Sequence, residues 1–434
     1  MKSLTEKPYW AVALSVFLVS FCVVGAFTAF AGASKDFFPG SDQAQYLQIG
    51  RNLAAGRGFR NPQNSWPNLP ATDRMPGWPT LLAGVLVIAP GAPPAAVARF
   101  TNAFCLALTG ALFTILSFRL GVRSKLSGLA GLTVSLSPVL VYLSASGMSE
   151  VSFVMVLAAG LVGVLVGGAW TYCGAVALGI APLIRTNFVL VPLVVILLIA
   201  VLLARRRLSF RQVRVRQLAA CCILASAPSL LWACRNYLVT GHFPLLSSGE
   251  GEVLWGSNND VVANELATWG YWVQPDDIPN ESPKILLATV FRNDLAQNEY
   301  YHRKAVTWIG NHLAEMPRLI LGKLVRAFAP VPWVPRPESY GVFLYRFALI
   351  ATGVLLAPLW IPRIAPAYLL ILVSMFVVHL LTTVIYYGLF RFTHCFVEIP
   401  LVPCIFLGFQ QWRDRRKPLS RLPGRQNDAG VSEG

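Results

Sequence analysis

Carboxylate and guanidinium side chains stand beside long apolar runs in this sequence, where a charge is costly unless it has a partner or a task. The first is Asp42, in PGSDQAQYLQIG (39–50). Asp favours the N-cap of a helix, and Gln45 three residues later completes a pattern similar to a capping box. A carboxylate at a helix N-terminus also stays ionised and faces solvent, so it can bind a cation or accept a proton. The two roles are compatible.

Arg74 follows Asp73 in TDRMPGWPTLLA (72–83), where Pro76 and Pro79 enforce a turn before a short apolar helix. A guanidinium group at the depth of the lipid headgroups is suited to hold a phosphate through two parallel hydrogen bonds. Two simpler interpretations stay open: Arg74 contacts ordinary lipid headgroups, or Asp73 and Arg74 offset each other's charge.

Glu150, in SASGMSEVSF (144–153), begins a long apolar run, where an acid is costly and usually has a partner. Three further arginines border apolar runs: Arg185, Arg235 and Arg391. Each of them can reach a phosphate at the membrane surface. Helix capping by Glu150 and ordinary snorkelling of the arginines are the alternatives.

The elements that must position these residues follow from composition. The chain has 434 residues, of which 55% are hydrophobic and only 13% charged, which is too apolar for a soluble globular protein of this size. We therefore predict an all-α polytopic membrane protein. The formal net charge of +16 lies largely in short loops between apolar runs, so it indicates topology rather than a nucleic-acid partner.

Apolar runs bounded by charges or by Pro and Gly predict about ten transmembrane helices, the first of which we interpret as a retained signal anchor. These runs cover residues 10–33, 96–118, 126–145, 150–169, 172–186, 187–204, 217–234, 343–361, 365–387 and 394–411.

Lys and Arg residues in the short connections predict the orientation, because such loops stay in the cytoplasm. Both termini are then cytoplasmic, and the apolar run 78–89 is too short to cross. The predicted parts are a membrane domain (1–411) with external loop 1 (34–95) and external loop 2 (235–342), and a disordered cytoplasmic tail (412–434). This topology collects the acids and arginines named above at the outer membrane surface.

A first span is followed in order by SDQAQYLQIGRNLAAGRGF (41–59), RMPGWPTLLA (74–83), GMSE (147–150), ALGIAPLIRTNFVLVPL (177–193), RNYLVTGHFPLL (235–246) and LWGSNN (254–259). In this order the motifs resemble the GT-C class of membrane glycosyltransferases. More narrowly, they are similar to bacterial relatives of the protein O-mannosyltransferases and of the lipid A aminoarabinose transferases. The resemblance runs from about Pro8 to Gly408.

The resemblance implies an inverting glycosyltransferase of the cell inner (plasma) membrane, which moves a sugar from a polyprenyl-phosphate carrier to an acceptor on the external face. In that case Asp42 is the general base, and Glu150 is a second acid that positions the acceptor or a metal. The carrier phosphate is held by arginines: Arg74 together with Arg185 or Arg235. A divalent metal ion bound by Asp42 and Asp73 is left open as a cofactor.

Two departures from these families leave the donor sugar and the acceptor open. The Asp-Glu pair of the protein mannosyltransferases is Asp42-Gln43 here, and the Lys-Pro-Pro of the aminoarabinose enzymes is Arg74-Met75-Pro76. The acceptor is a glycolipid, an envelope polysaccharide or a protein, and membrane lipids are further partners. The alternative function is a flippase or transporter of lipid-linked glycans, for which internal repeats and charges near the bilayer midplane are typical. A non-catalytic scaffold and a glycan polymerase or ligase are also considered.

Overall fold

The computed structural model describes residues 7–32, 35–37, 41–62, 69–205, 215–241, 247–279, 281, 290–291, 293–329 and 340–416. Every regular element in these ranges is helical. Six helices are long and apolar enough to cross a membrane, or up to eight if each of two bent helix pairs counts as one span. The basic connection 206–214 and the tail from 417 onward lie outside the described residues.

The helices are numbered in chain order. They are α1 (Lys7–Phe30), α2 (Asp42–Ala54), α3 (Gly77–Ile88), α4 (Pro94–Arg119), α5 (Ser124–Ser135), α6 (Pro138–Ala145), α7 (Glu150–Val166), α8 (Trp170–Ile180), α9 (Val191–Ala204), α10 (Val215–Thr240), α11 (Glu250–Gly256), α12 (Asp260–Asn264), α13 (Asp294–Asn311), α14 (Met316–Phe328), α15 (Tyr340–Leu355), α16 (Ala357–Trp360), α17 (Pro366–Ile385), α18 (Phe390–Thr393) and α19 (Ile399–Arg415).

The described part of the chain has six to eight candidate spans, fewer than the expected number of about ten, because two of the predicted apolar runs form short helices. Glu150–Val166 has 17 residues and Trp170–Leu183 is shorter still, whereas a helix needs roughly 20 residues to cross. The runs at 126–145 and 343–361 are each broken and bent, by 48° and 51°. Helix α3 has 12 residues, as expected for the short apolar run of loop 1.

Helix α4 lies at the centre of the bundle, with 78% of its most apolar window buried, compared with 28% for α1. Small residues allow its neighbours to approach. A side chain at Gly131 of α5 would collide with the carbonyl oxygen of Gly110 and the hydroxyl of Thr114 on α4. Such contacts between small residues are the usual way in which membrane helices pack closely.

A second apolar cluster joins α11, α12, α13 and α14, around the buried residues Leu254, Trp255, Val262, Tyr301 and Trp308. Helices α13 and α14 are separate, because the chain breaks between Asn311 and Met316. The buried Lys323 of α14 joins this unit to the bundle. Its Nζ donates to Asn258 Oδ1 at 2.8 Å and to the last carbonyl oxygens of α17, Val384 and Ile385, at 3.2 Å each.

The N-terminus of α2 corrects one expectation. Ser41, not Asp42, is the N-cap, and its Oγ accepts the Ala44 N–H at 3.4 Å. Asp42 is the first helical residue, so its carboxylate remains next to the positive end of the helix dipole without being used in the cap. Gln45 does not close a capping box, because its side-chain oxygen accepts hydrogen bonds from Arg74 and Asn61 instead.

Candidate active site

Helices α2 and α3 place Asp42 beside Arg74. The helices pack closely where a Cβ on Gly50 would lie 3.1 Å from Leu82 Cβ and 3.2 Å from the Pro79 carbonyl oxygen. Arg74, just before α3, then reaches the first turn of α2. Its Nη2 lies 3.1 Å from Asp42 Oδ1 and its Nε donates to Gln45 Oε1 at 2.8 Å. Two side chains of one helix turn therefore fix the direction of this guanidinium group.

Glu150, the first residue of α7, has a side chain that is only 1% exposed and pairs with two arginines. Its Oε1 accepts a hydrogen bond from Arg185 Nη2 and lies 3.2 Å from Arg391 Nε. Both guanidinium groups lie over the ring of Phe392, at 4.8 Å and 5.3 Å from its centroid. A buried carboxylate and an aromatic ring thus hold two arginines side by side.

These two ion-pair groups form one electrostatic cluster. Burial raises the pKa of the Asp42 carboxyl, but the positive charges of Arg74, Arg391 and Arg185 outweigh burial, so the pKa of Asp42 lies below its ordinary value. Asp42 is therefore ionised at neutral pH, and its side chain is still 36% exposed. The guanidinium groups of Arg74, Arg185 and Arg391 carry three positive charges, and the carboxylates of Asp42 and Glu150 carry two negative charges. The cluster therefore has one excess positive charge, which favours binding of an anion.

Two tyrosines border the same cluster. Burial, together with the Asp42 charge, raises the pKa of Tyr46, and the Arg74 guanidinium lies 6.0 Å from the centre of its ring. Burial raises the pKa of Tyr387 to about 12, although Arg391 and Arg185 lower it. Both phenols therefore stay protonated at neutral pH and remain hydrogen-bond donors.

Asp73 is hydrogen-bonded to Asn61, whereas Asp42 forms its ion pair with Arg74. Asp73 Oδ2 accepts from Asn61 Nδ2 at 3.0 Å, and its Oδ1 is buried without a hydrogen-bond partner among the described residues. Burial raises the pKa of Asp73, Arg74 lowers it, and Asp294 raises it further, so that it lies above its ordinary value. Asp73 is thus a half-buried neighbour of Arg74.

The structure does not bring Arg235 into the cluster. Its Nη1 donates to the Ala71 carbonyl oxygen at 2.9 Å and to Asn236 Oδ1 at 3.0 Å, and its guanidinium group lies 4.7 Å from the Trp232 ring centre. Arg235 therefore holds the backbone just before Thr72. The sequence predicted a phosphate contact for Arg235 because its apolar surroundings along the chain are similar to those of Arg185 and Arg391.

The opposite side of that backbone segment is fixed by α13. Thr72 Oγ1 donates to Asp294 Oδ2 at 2.7 Å, Ser248 Oγ donates to the same oxygen at 3.0 Å, and the Ser248 N–H donates to the Thr72 carbonyl oxygen at 2.9 Å. Residues from both long polar segments thus fix the backbone position from which the Arg74 side chain extends. Nothing in the local sequence around Asp294 indicated this contact.

A divalent cation does not fit the donor set. Such ions take several oxygen ligands, whereas Asp42 is paired with Arg74 and Asp73 Oδ2 accepts a hydrogen bond from Asn61. Within the described ranges, no group of three or more His, Cys, Asp or Glu side chains is placed to hold a metal ion. We therefore assign no metal to Asp42 and Asp73.

The sequence placed Arg391 at the outer membrane surface without assigning it to the carrier phosphate, and it predicted only a capping contact for Gln45. Arg391 was noted at the start of the last apolar run, and its distance from Glu150 along the chain hid their pairing. Gln45 stands three residues after Asp42, and that helical spacing was the available signal that both face one partner.

Neither a scan against protein-family models nor a search of curated proteins finds a match for this chain. The charge arrangement around Asp42 and the motif order are therefore what support a function.

Proposed function

We propose that this chain is an inverting glycosyltransferase that uses a polyprenyl-phosphate-linked sugar as donor. The observation that carries the proposal is one ionised, partly exposed carboxylate, Asp42, in a cluster with Arg74, Arg185 and Arg391. A transfer from a phosphate-linked donor needs such a pair of functions: a group that takes a proton from the acceptor, and positive charge for the phosphate that leaves.

In the proposed reaction the acceptor hydroxyl oxygen attacks the anomeric carbon as Asp42 takes its proton. The bond between that carbon and the phosphate oxygen breaks, and polyprenyl phosphate leaves with one additional negative charge. A single displacement inverts the configuration. The low pKa of Asp42 makes it a weak base, so the proton moves only as the new bond forms and the attacking oxygen becomes acidic.

The guanidinium groups supply the electrostatic stabilisation of the leaving phosphate, which is usually the largest contribution in reactions of this kind. Arg74 is held by Asp42 and Gln45, while Glu150 and Phe392 hold Arg185 and Arg391. Because these groups are fixed before substrate binds, little reorganisation is needed in the transition state. The contacts of Arg235 with Ala71 and Asn236 favour Arg185 over Arg235 as the partner of Arg74.

The proposal includes ten spans, with α7 and α8 as short crossings, both termini in the cytoplasm, and the Asp42 cluster at the external face of the inner membrane. Exposed apolar side chains on α9 and α10, such as Leu197 and Leu231, support contact with lipid. The donor is a polyprenyl-phosphate-linked hexose or pentose. The acceptor class, whether glycolipid, envelope polysaccharide or protein, is left to experiment.

The test combines two measurements. Envelope glycans and lipids from a strain that lacks the gene are compared by mass spectrometry with those of the parent strain, and the missing sugar identifies the donor. The purified chain is then assayed in lipid nanodiscs with that polyprenyl-phosphate sugar. We expect transfer by the wild type and none by Asp42→Asn, with Asp277→Asn as the matched control because Asp277 is exposed and far from Asp42 in sequence.

Full transfer by Asp42→Asn would remove Asp42 from the mechanism. Movement of the intact lipid-linked sugar across the bilayer without transfer would support the alternative of a flippase.

A further inference from the structure

Three ionisable side chains form a closed network inside the bundle. Arg346 of α15, His394 and Glu398 are each 0% exposed. Arg346 donates to Glu398 Oε1 from Nη2 at 2.7 Å and from Nε at 2.9 Å. His394 Nδ1 lies 2.7 Å from Glu398 Oε2, and His394 Nε2 lies 2.8 Å from Ser137 Oγ. Ionisable groups at this depth are expensive, so a network of this kind calls for a function.

The network is built on an irregular helix. Residues His394–Glu398 form a π-helical turn between α18 and α19. Such turns are rare, occur frequently at functional sites, and insert an extra residue into the helical repeat. The insertion changes which faces Arg391, before the turn, and Glu398, at its end, present to their neighbours. Here Arg391 faces Glu150 while Glu398 faces Arg346.

The same network is linked to both residues that flank the Arg391-Phe392 pair, directly to Phe390 and through a shared carbonyl oxygen to Thr393. The Arg346 guanidinium lies 5.3 Å from the ring centre of Phe390. The Ala327 carbonyl oxygen of α14 accepts hydrogen bonds from Arg346 Nη2 at 3.1 Å and from Thr393 Oγ1 at 2.8 Å. The chain before Arg391 therefore contacts the buried Arg346 through Phe390, and the chain after it is linked to Arg346 through the Ala327 carbonyl oxygen.

We propose that the Arg346–Glu398–His394 network is a positioning device, which stabilises the π-helical turn and thereby directs Arg391 toward Glu150 and Asp42. Its consequence for catalysis rests on the proposed function, since Arg391 matters there as a phosphate-binding group. Glu398, Arg346 and His394 are positioning residues, because they act through Arg391 and do not touch the substrate.

The test is a double-mutant cycle between Glu398→Gln and Arg391→Lys, read as the affinity for a C55 polyprenyl phosphate in nanodiscs. Glutamine keeps the shape of the side chain but removes the charge that holds Arg346 and His394. We expect Glu398→Gln to weaken binding about tenfold in the wild-type background and less than about twofold in the Arg391→Lys background, because coupled residues are not additive. Additive effects would overturn the proposal, since they would mean that Glu398 does not act through Arg391.

Tyr368→Phe is the matched control. It removes a buried hydrogen bond to the same last helix, from Tyr368 Oη to the Pro400 carbonyl oxygen at 2.6 Å, without touching the π-helical turn, and should leave binding unchanged. If Glu398→Gln does not fold, Thr393→Val replaces it. That change is nearly isosteric and removes the hydrogen bonds of the Thr393 hydroxyl to the Ala327 carbonyl oxygen and to His379 Nε2, at 2.8 Å and 2.9 Å. We expect the same dependence on Arg391 with a smaller effect.

The two proposals fail in different ways. A wild type that binds no polyprenyl phosphate contradicts the proposed function, and the positioning role falls with it because Arg391 would have no phosphate to bind. Wild-type binding that neither Glu398→Gln nor Thr393→Val changes overturns the positioning role alone.

Discussion

Glu150 Oε1 lies 3.2 Å from Arg391 Nε, which ties the start of α7 to the start of the last helical segment of the described chain. The same oxygen also accepts from Arg185. One buried carboxylate thus neutralises only part of the charge of two guanidinium groups. An anionic ligand would complete the neutralisation, and this relationship leads to the first prediction.

Glu150→Gln should destabilise the ligand-free protein, because two half-buried guanidinium groups lose their buried acid. Breaking a buried ion pair costs about 3 kcal/mol or more. A bound polyprenyl phosphate would replace the missing negative charge, so the added lipid should raise the melting temperature more in the variant than in the wild type. The measurement is thermal unfolding in nanodiscs with and without the lipid, and Glu299→Gln, at an exposed position of α13, is the control. An equal lipid-induced shift in both proteins would contradict the prediction.

Arg74→Ala and Arg235→Ala should separate phosphate binding from support of the backbone. If Arg74 binds the carrier phosphate as proposed, its loss removes charged hydrogen bonds worth about 1.5 to 3 kcal/mol each, so polyprenyl-phosphate affinity should fall about tenfold or more. Loss of Arg235 removes its bond to Ala71 and should lower the melting temperature with little direct effect on affinity. Titration with the lipid and thermal unfolding of both variants check this. The reverse pattern would return Arg235 to the phosphate site.

The acid side of the pH–rate profile should depend on Arg74. In the proposed reaction Asp42 works only as a carboxylate. Its pKa is depressed because Arg74, Arg391 and Arg185 outweigh burial. Wild-type activity should therefore persist down to below the ordinary Asp pKa of about 3.9. In Arg74→Ala that pKa rises, so the residual activity should be lost at higher pH. Arg51→Ala is the control, because Arg51 is exposed on α2, the helix that carries Asp42. It should leave the profile unchanged. Identical profiles for wild type and Arg74→Ala would show that Arg74 does not set this pKa.

Lys323 should make the stability of the folded protein rise with pH above neutrality. Burial lowers the pKa of Lys323 to about 7, whereas an unfolded lysine titrates near about 10.4. Between these values the unfolded chain binds more protons, so the free energy of unfolding increases with pH and levels off above the higher value. Thermal unfolding from pH 7 to 10 should show this slope in the wild type, and Lys323→Met should reduce it. An unchanged slope in Lys323→Met would assign the dependence to another group.

The membrane class and most helix positions were predictable from the sequence because both depend on local properties. A run of apolar residues long enough to cross a bilayer is visible in the chain itself, as in Pro94–Arg119 and Pro366–Ile385. The helix that begins at Asp42 was also predictable from its turn and cap signals. Its cap residue was wrong by one position, since Ser41 and Asp42 are both good caps and only the backbone decides between them.

The span count and the charge partners depended on contacts between distant parts of the chain. The breaks at 136–137 and after Leu355 bend two apolar runs that look continuous in sequence. Arg185, Arg235 and Arg391 have similar apolar surroundings along the chain, yet two of them pair with Glu150 and the third holds Ala71. The sequence by itself determined that charges would border the membrane-spanning helices. Tertiary structure alone decided which of them meet, because an ion pair depends on distance in space, and helix packing sets that distance.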